Sequence, residues 1–280
     1  MKIVIPMAGS GQRFIDTGYK DPKPLIKVNG KRIIEYILDM FDDTDEFIFI
    51  CNEKHIQNTN MSEVLMSLKP NCKKTILTMK DHKLGPVHTV MESLDLIDDE
   101  EEVIVSYCDN PHIWDREDFN KFLKEKNPDG CILTHTGVHP HSLNTTKMAF
   151  LKVDGDKLVE IKEKSCYTDN HLNEHASTGV YYFKHGKYIK KYFSEMIKHN
   201  IHYNGEYYVT LVYNLLVKDN LFVSYYDTPF VMVFGTPEEV RSYEAWQTLL
   251  RCGQLNCSEH AEKSYYYWKE YNRVIERINR

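Results

Sequence analysis

The 280-residue sequence has no apolar run approaching the ~18 residues that a membrane-spanning helix needs. The apolar stretch after Lys2, in "MKIVIPMAGSG", stops too early for the core of a secretory leader and reads as a first strand. Seven cysteines make an odd count with no C-x-x-C pair, and Cys252 and Cys257, five apart, have no partners completing a zinc pattern. Reduced thiols in a cytoplasm are the simplest account. Positive charge is also short: 35 Lys and Arg stand against 41 Asp and Glu, a net charge of -6, so neither nucleic acid nor an anionic membrane is expected as a partner. Internal repeats, low-complexity runs and Pro/Gly/Ser linkers are absent. With 42% hydrophobic and 27% charged residues the chain has the composition of a folded protein, not a disordered one.

Residues 5–14 read "IPMAGSGQRF". A dinucleotide-binding turn wants a third glycine, but position 14 is Phe14, and a Walker A loop wants a later Gly-Lys-Ser/Thr that is missing. What remains, Gly9 and Gly11 followed by Arg13, brings backbone close to a ligand, and the arginine suggests an anionic one.

The first half alternates short apolar strands ("KIVIP", "EFIFIC", "KTILTM", "EVIVSY", "CILTHTG") with helical segments over 33–41, 61–68, 87–96 and 115–126. That alternation predicts right-handed crossovers and an α/β fold: a mainly parallel mixed sheet with helices on both faces. After residue 145 the pattern changes. "KMAFLKVDGDKLVEIKEK" predicts a hairpin with an Asp-Gly turn, "STGVYYFK" another strand, 185–218 helices, and "LFVSYY" with "FVMVF" the strands that close the sheet region. From Pro237 the chain is expected to be helical. Ala261, Tyr265, Trp268, Tyr271, Ile275 and Ile278 recur at steps of three and four, an amphipathic helix that either docks on its own domain or forms a homo-oligomer contact. The division expected is a domain over 1–236 and a helical C-terminal extension over 237–280.

In a parallel α/β sheet ligands bind beyond the carboxyl ends of strands. The glycine loop leaves the first strand there, and Asp109 in "IVSYCDN" leaves a later buried strand at the same end. A carboxylate beside an anion-binding loop suggests a metal–phosphate site. His135, His139 and His141 read as a polar strand end and turn at the site's rim; a His-x-His metal site lacks a further ligand.

With these residues in view, "IPMAGSGQRF…DPKPLIKVNGKRIIEYIL" resembles the opening signature of the sugar-phosphate nucleotidylyltransferases (nucleoside-diphosphate-sugar pyrophosphorylases). The likeness continues through "LGPVHTV", "YCDN", "EIKEKS", "STGVYYFK", "NGEYYVTLVYN" and "VFGTPEEV", nearly the whole chain. It implies a Rossmann-like nucleotidyltransferase fold and transfer of a nucleoside monophosphate from an NTP to a sugar 1-phosphate, with pyrophosphate leaving. The rival acceptor is a small phosphorylated alcohol or amine, with CTP as donor. Carried over residue by residue, the resemblance implies nucleotide contacts from Met7, Ala8, Gly9, Ser10, Gly11, Arg13, Lys23, Gly85 and His88. Arg13, Lys23 and Asp109 would be the catalytic set, with Asp109 holding Mg²⁺. The acceptor would meet Glu163, Lys164, Thr178, Gly179, Asn204, Gly205 and Glu206. Read without the resemblance, Gly179 is a packing glycine or a bulge, Asn204-Gly205 a turn, and Glu206 a residue in the first turn of a helix, favoured by the dipole.

The sequence departs from the pattern where two-aspartate members supply a second metal ligand, because that position is Val233. Either Mg²⁺ rests on Asp109, phosphates and water, which suits an ion that keeps much of its hydration, or another acid such as Glu206 substitutes. Pro86 stands where threonine is common, which leaves the base open. A nucleotide-sugar glycosyltransferase would want Asp-x-Asp where the chain has "CDN", and a regulator without catalysis would not need Arg13, Lys23, Asp109 and Lys164 together.

Overall fold

The computed structural model describes residues 1–139, 141 and 147–251. Strands in its first half are β1 (Lys2–Met7), β2 (Lys27–Val28), β3 (Lys31–Arg32), β4 (Glu46–Asn52), β5 (Lys74–Met79) and β6 (Val103–Ser106). They continue as β7 (His112–Ile113), β8 (Gly130–His135), β9 (Ala149–Asp154), β10 (Lys157–Glu163), β11 (His175–Phe183), β12 (Val223–Asp227) and β13 (Phe230–Val231). Nine of these form one sheet in which β10-β9-β11-β6-β1-β4-β5 are neighbours and β12 and β8 lie beyond β11. β1 is parallel to both β4 and β6, β4 to β5, and β8 to β12, whereas β11 opposes β6, β8 and β9. Only β10 and β11 therefore run against the common direction of this sheet, as a mainly parallel mixed sheet requires.

Side-chain alternation explains why both faces are covered. Ile3, Ile5, Phe47 and Phe49 enter one apolar cluster with Ile34 and Ile37, Val64 and Leu65, and Phe119 and Leu123 from the helices Ile33–Leu38, Met61–Ser67 and Arg116–Lys126. Their strand neighbours Val4, Ile48 and Ile50 enter the opposite cluster. There they meet Val87 and Val90, Ile189 and Phe193, and Val212 and Leu216 of the helices Pro86–Met91, Gly186–Lys198 and Val209–Lys218. Strands buried on two faces read as continuous apolar runs, which is how "KIVIP" and "EFIFIC" appear.

A third, smaller core sits off the sheet. Phe14, Ile26, Val28 and Ile33 from the N-terminal loops pack there with Phe230, Met232 and Phe234 and with Val240 and Tyr243 of the helix Pro237–Arg251. This cluster fastens the glycine-loop region to a segment more than 200 positions later.

Three expectations are corrected. "FVMVF" does not join the main sheet, because Phe230–Val231 pairs only with His112–Ile113 in a separate ribbon. The hairpin turn is centred on Gly155–Asp156, one position later than Asp-Gly, since Asp154 pairs with Lys157. His135, His139 and His141 are not a polar rim but buried rings packed on one another, with centroids 4.4, 5.0 and 5.7 Å apart. Among the described residues no group of three or more His, Cys, Asp or Glu is placed to hold a metal ion. The amphipathic pattern over 261–278, like Cys252 and Cys257, lies outside the described residues.

Burial lowers His112 and His139 to about 4, and it lowers His135 and His141 well below the ordinary histidine value. The unfolded chain takes up these protons near pH 6.5 while the folded chain refuses them, so below that pH the unfolded state binds more protons and stability falls. Each ring contributes up to about 1.4 kcal/mol per pH unit between its unfolded and folded values. We expect the urea midpoint to drop markedly from pH 7 to pH 5. An unchanged midpoint would mean that these rings charge freely in the folded protein.

Candidate active site

β1 and β6 are adjacent and parallel, so the loops that follow Met7 and Ser106 leave the same edge of the sheet. Met7 and Ala8 are buried at that edge, and the Asn52 side-chain amide donates to the Ala8 carbonyl at 3.0 Å. Gly11 opens the short helix Gln12–Asp16, which buries Phe14 in the third core and leaves Arg13 exposed. A Cβ at Gly11 would lie 3.7 Å from the Lys23 Cβ, so the glycine loop and the "DPKP" segment are in contact. Lys23, held between Pro22 and Pro24, donates to Asp109 Oδ2 in a close ion pair. Burial alone would lower the Lys23 ammonium, but Asp109 beside it holds it above its ordinary value. Arg13 makes no ion pair among the described residues, and its positive charge acts on Lys23 and on Tyr208.

The segment 232–235 closes over Asp109. The Phe234 amide donates to the Asp109 carbonyl at 2.7 Å, and a Cβ at Gly235 would lie 3.4 Å from Asp109 Oδ2 and 3.1 Å from Glu239 Oε2. That Glu239 oxygen is buried and has no hydrogen-bond partner. Burial, opposed by the Thr236 hydroxyl and reinforced by Asp109, pushes the Glu239 carboxyl up. A corner that holds Asp109 and an orphaned carboxylate oxygen against a glycine loop fits a hard divalent cation, which takes oxygen ligands and retains water.

The second half of the site is built by β10, β11 and the start of the helix Val209–Lys218. β9 pairs only with the first residues of β11, His175 and Ala176, and that stagger carries Glu163, the partner of Ala149, alongside the β11 bulge. Lys164 Nζ donates to the Tyr208 hydroxyl, and that hydroxyl donates to Glu206 Oε2. Burial and then the bond to Glu206 push the Tyr208 phenol far up, so it remains a donor. Glu163 is buried and accepts from the Thr210 hydroxyl at 2.6 Å; burial pushes its carboxyl up, and Thr210 only partly offsets this. Tyr181, edge-on to Tyr107 at 5.3 Å, feels the charges of both Glu163 and Asp109, so the two halves face one tyrosine pair.

The residues expected at the site do not all point into it. The Thr178 side chain is fully buried and donates to the Leu133 carbonyl at 3.1 Å, so its hydroxyl is committed within the sheet. Gly179 is the bulge of β11, and a Cβ there would meet Asn110 Nδ2 and Tyr107 at 3.1 Å. Asn204 and Gly205 form the two-residue turn between Tyr203 and Glu206, whose backbones pair in both directions at 3.0 Å. Glu206 lies ahead of the helix rather than in its first turn, and its pairing with Tyr208 places it on the Lys164 side, away from the metal-ligand role considered above. Gly85 packs against Glu206 and Tyr207: a Cβ would come within 2.7 Å of the Tyr207 nitrogen. His88 stacks edge-on against His82 at 4.9 Å. Sequence reasoning did not single out Tyr208, Thr210 and Glu239, which the structure brings beside Lys164, Glu163 and Asp109, although each lies inside a stretch that carried the resemblance.

Three comparisons place this geometry among known proteins. The sequence model described as "Nucleotidyl transferase" matches residues 2–212. A "Bifunctional protein GlmU" of Fervidobacterium nodosum is 26% identical over 213 residues, 75% of this chain and 42% of that protein, so the chain spans less than half of that relative's length. Two solved structures share the fold. A nucleoside-diphosphate-sugar pyrophosphorylase from Vibrio cholerae RC9 superposes with a TM-score of 0.69 at 23% identity, covering 87% of this chain and 99% of that one. The inositol-1-phosphate CTP transferase of T. maritima superposes with a TM-score of 0.63 at 16% identity, covering 85% and 90%.

Two glycines separate strain from crowding. Gly155 has φ +57 with nothing near its missing Cβ, whereas Gly85 has φ +87 and the Tyr207 backbone against it. Gly155→Ala should cost about 1 kcal/mol, the usual left-handed penalty. Gly85→Ala should cost about 3 kcal/mol or more, because strain and overpacking combine. Equal shifts in the urea midpoint would show that the Tyr207 segment yields freely.

Proposed function

The chain belongs to the nucleotidyl transferase family, and from that premise we propose that it transfers a nucleoside monophosphate from an NTP to a sugar 1-phosphate. The products are pyrophosphate and an NDP-sugar, an activated donor for building polysaccharides. One observation carries this reading: Lys23, in contact with the glycine loop at Gly11, forms an ion pair with Asp109, while Lys164 bonds to Tyr208, whose phenol feels the charge of Arg13.

In the proposed reaction an acceptor phosphate oxygen forms a bond to the α-phosphorus, the bond to the β-phosphate oxygen breaks, and pyrophosphate leaves with the electron pair. No side chain needs to become covalent. The thiol nearest the reacting centre, Cys108, is buried and pushed up to about 12, so it is no nucleophile at neutral pH. The chain's work is to overcome repulsion between two anions and to align attack with departure. Arg13 would grip the β- and γ-phosphates with its forked donors. Lys23 would leave Asp109 for the phosphates, and Lys164, steadied by Tyr208, would receive the acceptor phosphate. Glu163, fixed by Thr210, would orient Lys164, while Glu206 and the Asn204–Gly205 turn would face acceptor hydroxyls. Gly9, Ser10 and Gly11 would offer backbone N–H groups. Bound at Asp109, Mg²⁺ would supply countercharge to the phosphates. The chain's reduced, free cysteines among the described residues suit a cytoplasmic setting.

The likeness to a CTP transferase acting on inositol 1-phosphate keeps a second acceptor class in view. Incubation with each NTP against a panel of phosphates, with pyrophosphate as the readout, separates the two. Turnover is expected with a sugar 1-phosphate; turnover confined to CTP and a phosphorylated alcohol would move the assignment. Lys23→Ala should lower kcat by about 10²–10³, as loss of one oxyanion donor does. Asp109→Ala should abolish turnover while Val233→Ala keeps it, and full activity in the Asp109 variant would refute the assignment.

A further inference from the structure

Val233 leaves Asp109 without the companion carboxylate that the resemblance leads one to expect, and the structure offers a different one. We propose that Glu239 supplies the second protein carboxylate of the divalent-cation site, opposite Asp109 across Gly235. The inference rests on the nucleotidyl-transfer reading for the identity of the site and extends it to a residue of this chain.

Gly235 is the geometric key. A point one carbon out from its Cα lies 3.1 Å from Glu239 Oε2 and 3.4 Å from Asp109 Oδ2, so the two oxygens flank one small space, which the glycine leaves open. Glu239 Oε2 is shielded from solvent and accepts no hydrogen bond. A buried carboxylate oxygen without a donor is costly, and protein structures seldom keep one without a use. Lys23 now supplies the countercharge to Asp109. Once Lys23 serves phosphate, two carboxylates face each other with nothing between them, an arrangement that a hard cation with oxygen ligands makes favourable. Val240 and Tyr243 are locked into the third core, and the Phe234 amide is bonded to the Asp109 carbonyl, so Glu239 is held in place from both sides. Glu206 is engaged with Tyr208 and does not compete for the role.

The bland alternative is a helix cap. Thr236, Pro237, Glu238 and Glu239 open the helix Pro237–Arg251, and the Glu239 amide donates to the Thr236 hydroxyl at 3.2 Å. In a Thr-x-x-Glu capping box the glutamate returns one oxygen to the cap backbone, and glutamine does this equally well. The charge is what only the metal role requires.

Glu239→Gln therefore separates the two. The probe is Mn²⁺ in the presence of inorganic pyrophosphate, with free Mn²⁺ read by its electron paramagnetic resonance signal and no turnover needed. Glu239→Gln is expected to weaken protein-bound Mn²⁺ by about tenfold or more, at least what loss of an outer-shell partner costs, with an unchanged thermal midpoint. Asp109→Asn should lose Mn²⁺ as well, and Val233→Ala should bind as the parent does. Loss in the Asp109 variant with parent-like binding in Glu239→Gln would reduce Glu239 to a cap and leave the proposed function standing. Parent-like binding in both would overturn the site as a whole. A parent protein that holds no Mn²⁺ beside pyrophosphate would overturn the metal reading together with this one.

Discussion

The Lys23–Asp109 ion pair is the constraint around which the rest of the site is arranged. Two opposite charges taken largely out of water need each other, since neither side chain has another ionic partner among the described residues. The pair fixes where the "DPKP" segment can lie, and Gly11, in contact with Lys23, fixes the glycine loop in turn. It also defines what a ligand must bring. On the proposed reading an incoming triphosphate would offer Lys23 a stronger anion, and Asp109 would then need another cation. Exchange of partners, rather than creation of new charge, would move such a corner from a stable resting state to a binding state.

The third apolar core explains how a corner drawn from distant parts of the sequence keeps its shape. Phe14, Ile26, Val28 and Ile33 pack in this third core, apart from the two clusters on the faces of the main sheet. Phe230, Met232, Phe234, Val240 and Tyr243 complete their burial. The same contacts bring Gly235 and Glu239 down onto Asp109. Packing that stabilises the loops thus also closes the site, and Phe234 contributes to both: its ring joins the core while its amide holds the Asp109 carbonyl. On the opposite side, Leu84 and Val87 exchange backbone hydrogen bonds with Tyr207, which ties the turn before the helix Pro86–Met91 to the residue preceding Tyr208.

How much of this the sequence reveals depends on whether the cause is local. Strands such as Lys2–Met7 and Glu46–Asn52 were legible because burial on both faces writes an uninterrupted apolar run, and Asp109 was legible because a polar residue ends one. Arg13, Lys23 and Lys164 stood out through a resemblance that the family match supports. What stayed hidden in the sequence has a different cause. At Thr178, beside the β11 bulge, the hydroxyl bonds to the Leu133 carbonyl on the next strand. At Gly85 the atoms that exclude a side chain belong to Tyr207, over a hundred positions away. His135, His139 and His141 looked like a polar rim because nothing local shows three rings burying one another. Tyr208 and Thr210 acquire their roles only when Lys164 and Glu163 arrive from another strand.

The protonation states around the site argue for the kind of catalysis it can perform. Tyr107, Tyr181 and Tyr208 all hold their phenols well above the ordinary range, chiefly through burial, and Cys108 is likewise raised. None of these groups is poised to give or take a proton near neutral pH, and none is an activated nucleophile. The cations, by contrast, need no activation: arginine and lysine side chains carry their charge throughout the physiological range. A phosphate oxygen is already an adequate nucleophile and pyrophosphate an adequate leaving group, so the difficulty of the reaction is electrostatic and geometric. A site rich in fixed positive charge and poor in titrating groups is matched to that difficulty, and its rate should follow the placement of its cations rather than the pKa of any one side chain.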